Sequence, residues 1–241
     1  MVTLPAYQWQ RRRFWLAPAA SPAHARHVTT SHPLLGEHIT VAGKQTHVFT
    51  GNSSVARGWL NDHRVFGQVI VPGAAMLEAL HAAAGIALAV GEPLLSGFAT
   101  HRPLIVPDDR EARWQVVVTA DGPGLVRAEL HHRQDDDWQL VASVQGSATE
   151  RGATGKEHSA PVPENSGAGA SPNVSVDASA VYQRFANLGV EFGPTFRLLH
   201  EIRRGDNIAT ARVSVPGAVS PQEHALHPAL LDAGLQLCSI A

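Results

Sequence analysis

Residues 69–90 read Val69-Ile70-Val71-Pro72-Gly73-Ala74-Ala75-Met76-Leu77-Glu78-Ala79-Leu80-His81-Ala82-Ala83-Ala84-Gly85-Ile86-Ala87-Leu88-Ala89-Val90. The β-branched run up to Val71 is strand-like. Pro72 then suits the first helical position, where its missing N–H loses no partner. From 74 to 90 the residues are rich in Ala and Leu. Met76, Leu77 and Leu80 fall at helical spacing, and Glu78 and His81 mark the wetter side. A helix apolar over most of its circumference has to be enclosed by other structure. The stretch therefore predicts a central helix wrapped by sheet, an α+β arrangement.

The flanks supply the sheet. Upstream, Ile39, Val41, Thr46, Val48 and Thr50 alternate around a turn at Gly43, the pattern of a hairpin, and a loop over 51–68 follows. Downstream, strands are expected over 104–106, 114–119, 125–131 and 138–144, with Asp135-Asp136-Asp137 as an exposed turn. Residues 151–176 are mostly Gly, Ala, Ser, Pro and Asn and read as a linker. The same plan then begins again, with a helix over 181–188 ending at Gly189 and strands over 196–202 and 208–215. A second apolar helix starts at Pro228, and the sequence ends inside it. The opening residues differ from all of this. Leu4-Pro5-Ala6-Tyr7-Gln8-Trp9-Gln10 and Arg11-Arg12-Arg13-Phe14-Trp15-Leu16 have too little length for a core and should lie extended on a neighbouring surface, with Pro18 and Pro22 in a linker behind them. The expected division is a tail over 1–30, a first unit over 31–150, a linker over 151–176 and a second unit over 177–241.

Composition narrows the function. The 241 residues are 44% hydrophobic and 17% charged, which suits a globular chain long enough to bury a sizeable core. Nineteen Lys and Arg against 21 Asp and Glu leave a net charge of −2, so no basic field exists to hold nucleic acid. The single cysteine, Cys238, excludes an internal disulfide framework and a multi-cysteine zinc site. The longest apolar run, 82–90, is too short for a bilayer, and the N-terminus has no signal peptide pattern. A soluble, cytoplasmic protein is expected. Fourteen histidines are the anomaly. His131 and His132 are adjacent, so on a strand they face opposite sides. His32, His38 and His47 could gather at the first hairpin, but without a Cys or carboxylate pattern no metal site is expected.

Two constellations carry chemistry. His63, Gly67 and Pro72 form His-x-x-x-Gly-x-x-x-x-Pro, a spacing expected by chance only about 0.08 times in a chain of this composition. A histidine on a loop before a helix, with a glycine whose bare backbone admits a ligand, sets a base beside amide donors that can polarise a carbonyl. Asp232 and Gln236 form Asp-x-x-x-Gln, a weaker signal with roughly 0.5 chance matches. Its weight comes from the setting. A carboxyl in the first turn of an apolar helix, among Leu230, Leu231 and Leu235, tends to stay protonated and can act as an acid, and Gln236 on the same face can orient it.

Together with Phe192-Gly193-Pro194-Thr195-Phe196 and His32-Pro33-Leu34-Leu35-Gly36, these motifs resemble the dehydratase domain of a modular type I polyketide synthase. The resemblance covers nearly the whole chain. It implies a double hotdog, two antiparallel sheets each wrapping a long central helix, with the second hotdog lacking its C-terminal strands. It also makes residues 1–30 similar to the tail that follows an acyltransferase domain. The implied activity is dehydration of a β-hydroxyacyl thioester, carried on the phosphopantetheine of an acyl carrier protein, to the α,β-unsaturated thioester. His63 would be the base and Asp232 the acid. Gln236 would orient Asp232, and the Gly67 N–H with the helix start at Pro72 would steady the enolate. No metal or other cofactor is implied. Partners would be the carrier protein and neighbouring synthase domains, with a homodimer compatible, and neither nucleic acid nor membrane. Two positions depart from the pattern: Phe192 replaces the family's tyrosine, and Val190 is smaller than its usual Leu or Tyr. Both changes reshape the pocket beside Gly193 and Pro194. A dehydratase that also closes a pyran ring by oxa-conjugate addition, and a non-catalytic scaffold or docking domain, are the alternative readings.

Overall fold

The structure is a computed structural model that describes residues 28–54, 57–148, 174–214 and 224–241. Residues 1–27 of the expected tail and 151–173 of the expected linker lie outside the described residues. The inner ends of both segments are strand. Val28–Thr29 (β1) pairs with Glu37–Thr40 (β2), and Val174–Val176 (β11) pairs with Leu199–Gly205 (β13).

The predicted helix spans Gly73–Leu88 (α2), and Pro72 stands one residue earlier than expected, at the N-cap. Its carbonyl accepts the Ala75 and Met76 N–H groups, while its ring fixes the φ of −60° that leads into the helix. Around α2 curls a seven-stranded antiparallel sheet. Beyond β1 and β2 it contains Thr46–Asn52 (β3), Leu94–Thr100 (β6), Arg113–Ala120 (β8), Leu125–Gln134 (β9) and Asp137–Ser147 (β10), in the order β1-β2-β3-β8-β9-β10-β6. Alternation explains which face turns inward. Trp114, Val116 and Val118 from β8 and Val126, Ala128 and Leu130 from β9 are buried, and register sets Val116 opposite Leu130 and Val118 opposite Ala128. They pack with Ala79, Leu80, Ala83 and Ala84 of α2 into one core. The sequence gives no cue for β6 because this edge strand is exposed almost throughout and has no inward-facing alternation to read.

Glu78 contradicts the expected wet face. Only 4% exposed, it points into protein, whereas neighbouring Leu77 is partly open. The reason is polar: His32 and the backbone of residues 225 and 226 meet its carboxylate.

The second half contains β11, Ala178–Asn187 (α3), Val190–Phe192 (β12), β13, Ile208–Val213 (β14) and Pro228–Cys238 (α4). Asp177 caps α3 by accepting the Ser179 N–H. A three-stranded sheet, β11-β13-β14, packs with α3 and α4 around Phe196, Leu198, Leu199 and Ile202. The strand expected from 196 begins only at Leu199, because Phe196 and Arg197 donate back to the Gly193 carbonyl and close a turn. The halves share a third sheet. The segment expected as a loop holds a helical turn, Arg57–Leu60 (α1), and His63–Val65 (β4), which pairs with Gln68–Ile70 (β5). With Ile105–Val106 (β7) and β12 the order is β12-β4-β5-β7, so a strand of the second half extends a sheet of the first. Partly buried Trp59 packs against both cores.

Candidate active site

His63 lies at the start of β4, not on a loop, directly opposite Phe192 of β12. Its Nδ1 lies 2.9 Å from the Ile70 carbonyl. A carbonyl oxygen can only accept, so Nδ1 carries the proton and the Nε2 lone pair is left for chemistry. Phe192 and Phe196 present their rings edge to face at 5.6 and 5.4 Å. Burial among them pushes the His63 pKa below its ordinary 6.5, against the opposing pull of the Asp232 charge and the Ile70 bond. The imidazole is a buried neutral base.

Asp232 sits in the second turn of α4, not the first, so the macrodipole is not what explains it. Burial raises its pKa from the ordinary 3.8, opposed by a bond from Gln236 and by the charge of His63. The two side chains, from opposite halves of the molecule, thus act on each other's ionisation. Gln236, one helical turn on, donates from Nε2 to Asp232 Oδ2 at 2.7 Å and to the Phe196 carbonyl at 3.2 Å. The carbonyl settles which way the amide faces, since a flipped amide would set oxygen against oxygen. Its Oε1 is buried without a partner among the described residues.

The remaining predicted residues divide. Phe192 is buried between His63, Tyr182, Phe185 and Phe196, and Val190 pairs with Val65 on the same shared sheet. Gly193 and Pro194 form the turn after β12. Gly67 is not brought to His63. It occupies the exposed tip of the β4–β5 hairpin at φ +77°, beside Phe66 at φ +49°, the double left-handed geometry of a tight hairpin turn. At the helix start, Gly73 and Ala74 are the first amides of α2 and have no acceptor within the helix. A Cβ added at Gly73 would meet no neighbouring atom within 4 Å.

Sequence reasoning missed Asp62. Its Oδ2 accepts the Thr195 N–H at 2.9 Å and the Thr195 hydroxyl at 2.6 Å, and its carbonyl accepts the Gly193 N–H at 2.7 Å. A side chain on Gly193 would run into this carboxylate. The residue before His63 thus clamps the turn after Phe192.

Clefts of the described residues lie elsewhere. One of about 570 Å³ is lined by His47 and Val118, one of about 490 Å³ by His101 and Trp138, one of about 430 Å³ by Arg110 and His132, and an apolar one of about 260 Å³ by Val181 and Ile240; none of these includes His63 or Asp232. The pair is marked by its chemistry rather than by cavity size. Of the histidines that could gather at the first hairpin, His38 stacks on His47 and bonds it at 3.0 Å, while His32 joins Glu78. Among the described residues no three His, Cys, Asp or Glu side chains come together as a metal site would require.

Comparison with known proteins fits this geometry. Residues 32–133 match the family model "polyketide synthase dehydratase domain" and residues 160–241 match "polyketide synthase dehydratase N-terminal domain". Polyketide synthase GfsE of Streptomyces halstedii is 36% identical over 251 residues, an alignment that spans 97% of this chain and 6% of that protein. Mycoketide-CoA synthase of Mycobacterium tuberculosis is 35% identical over 243 residues, again 97% of this chain and 6% of the relative. The chain thus corresponds to a small part of these curated relatives. Among solved structures, the dehydratase domain from the terminal module of the rifamycin polyketide synthase is 26% identical with a TM-score of 0.71, covering 87% of this chain and 78% of that one. The dehydratase domain of a mycocerosic acid synthase-like polyketide synthase is 26% identical with a TM-score of 0.74, covering 87% and 73%. With both family models agreeing, and with sheets wrapped on helices as in those domains, the chain belongs to the double-hotdog dehydratase domains of modular type I polyketide synthases.

Proposed function

We propose that the domain dehydrates a β-hydroxyacyl thioester to the α,β-unsaturated thioester, with His63 as base and Asp232 as acid. The substrate is carried on the phosphopantetheine of an acyl carrier protein that neighbours the domain in its synthase. His63 Nε2 removes the proton α to the thioester carbonyl, which the Gly73 and Ala74 amides polarise. The C–O bond at the β-carbon breaks as Asp232 gives its proton to the departing hydroxyl, and water leaves. His63 is then cationic and Asp232 anionic; one proton returned through solvent restores both. The step needs an acid, a base and amide donors.

The observation that carries this reading is a reversed pair in one buried place: a base held neutral, with its proton pinned to Ile70, and a carboxyl pushed toward its protonated form. Environments that drive two titrating groups apart mark an acid and a base. Incubation with a β-hydroxyacyl thioester, followed by mass spectrometry, should show loss of one water. His63→Ala and Asp232→Asn should each lower the rate by about a thousandfold or more. Parent-like turnover in either would remove that residue from the mechanism, and an intact thioester with the parent would favour a docking domain. Offering a substrate with a distal hydroxyl in the same assay reports any cyclic product.

A further inference from the structure

Glu78 is the one acidic side chain among the buried residues of α2, and it faces the start of α4. Its Oε1 accepts the Ala225 N–H at 2.6 Å and lies 3.3 Å from His32 Nε2, and its Oε2 accepts the Leu226 N–H at 3.4 Å. Two residues further on, His227 caps α4, its Nδ1 accepting the Ala229 N–H at 3.1 Å. His224 packs edge to face against both His32 and His227, at 5.3 and 4.9 Å. Trp59 closes the far side at 5.7 Å from His227. The contact reaches across 147 residues of sequence and joins the two halves.

A buried carboxylate is costly unless donors surround it, and core packing alone would be served as well by an apolar residue. What a carboxylate adds is two oxygens that can accept from successive backbone amides at once, fixing both position and direction of the chain about to enter a helix. That helix carries Asp232, while the helix that carries Glu78 begins with the Gly73 and Ala74 amides. We propose that Glu78 is a positioning residue: by holding the Ala225 and Leu226 amides it seats α4 on α2 and sets where Asp232 stands relative to His63. The inference rests on the dehydratase reading above.

The test is Glu78→Gln in the full chain. Glutamine keeps the shape but turns an amino group toward one of the two N–H donors. With the β-hydroxyacyl thioester as probe, kcat should fall by about tenfold or more while KM stays within about threefold, because substrate is still bound but the acid is misplaced. Gln236→Ala impairs the same carboxyl from the other side, so the double variant should lose less than the product of the two single losses. Near-ultraviolet circular dichroism and the urea midpoint establish that the variants are folded. An unchanged kcat, a loss confined to KM, or losses that simply multiply would overturn the positioning role. So would failure of both Glu78→Gln and Glu78→Asp to fold, since Glu78 would then be a requirement of the fold alone. The parent, run alongside, separates the two ideas: no elimination by the parent defeats the dehydratase reading, and an active parent with a parent-like Glu78→Gln defeats only this one.

Discussion

The bond from Gln236 to Asp232 has a definite sign. An N–H donated to a carboxylate favours the ionised form, so Gln236 holds the Asp232 pKa lower than burial alone would set it. Gln236→Ala should therefore lower kcat by about tenfold, through loss of orientation, and move the alkaline limb of the kcat profile to higher pH. Steady-state rates between pH 5 and pH 9 would show both effects, with the limbs read as properties of the coupled pair. His63 gives the acid side. Because its pKa lies below 6.5, kcat/KM should hold as pH falls past 6.5 and decline only beneath that. A limb centred above 6.5 would contradict a buried neutral base.

Elements carry their own strains. Helix α2 ends with Ala89 in the left-handed region at φ +56°, its N–H bonded back to the Ile86 carbonyl. A residue with a Cβ is disfavoured there, so Ala89→Gly should stabilise the domain by about 1 kcal/mol, visible as a raised urea midpoint with activity unaltered. The opposite holds at the turn after β12. Gly193→Ala drives a methyl group into Asp62, which must give up its Thr195 bonds. Since Asp62 precedes His63 and the turn follows Phe192, the cost of about 2 kcal/mol or more should be accompanied by lost activity. Thermal melting and turnover measured on one preparation would test the coupling.

For the whole molecule, the junction of the halves is sensitive to acid. The His227 pKa is lowered to about 4 by burial and by nearby His224, with the Glu78 charge opposing. Unfolded, the same side chain takes a proton near 6.5. Stability is therefore full above pH 6.5, falls as pH drops and the unfolded state gains protons, and levels off near pH 4. The loss is about 3 kcal/mol from this group, and His63 acts in the same direction. Glu78, whose own pKa is lowered by His32 and the Ala225 amide, extends the loss below 4.5. His227→Asn keeps a capping acceptor and removes the titration, so urea melts at pH 7 and pH 4.5 should differ less than in the parent.

Much of the fold could be read locally. The central helix, the strands β8 to β10 and the turn at Asp135 follow from periodicity, which backbone geometry imposes within a few residues. The short strands β4 and β12 could not, because each is held by a partner rather than by its own pattern. At the site, the residue types and spacings of His63, Asp232 and Gln236 were legible, whereas the Gly67 motif position proved to be a hairpin tip. Asp62 and Glu78 gave no warning. By itself, then, the sequence determined the wrapped helix and the residue types of the proposed acid–base pair. Only the tertiary structure decided that Glu78 turns inward, that Asp62 grips Thr195 and that His63 and Asp232 feel each other. The physical reason is distance along the chain. An apolar residue's burial follows from its neighbours in sequence, but a polar one is buried only where partners 133 or 147 residues away arrive to satisfy it.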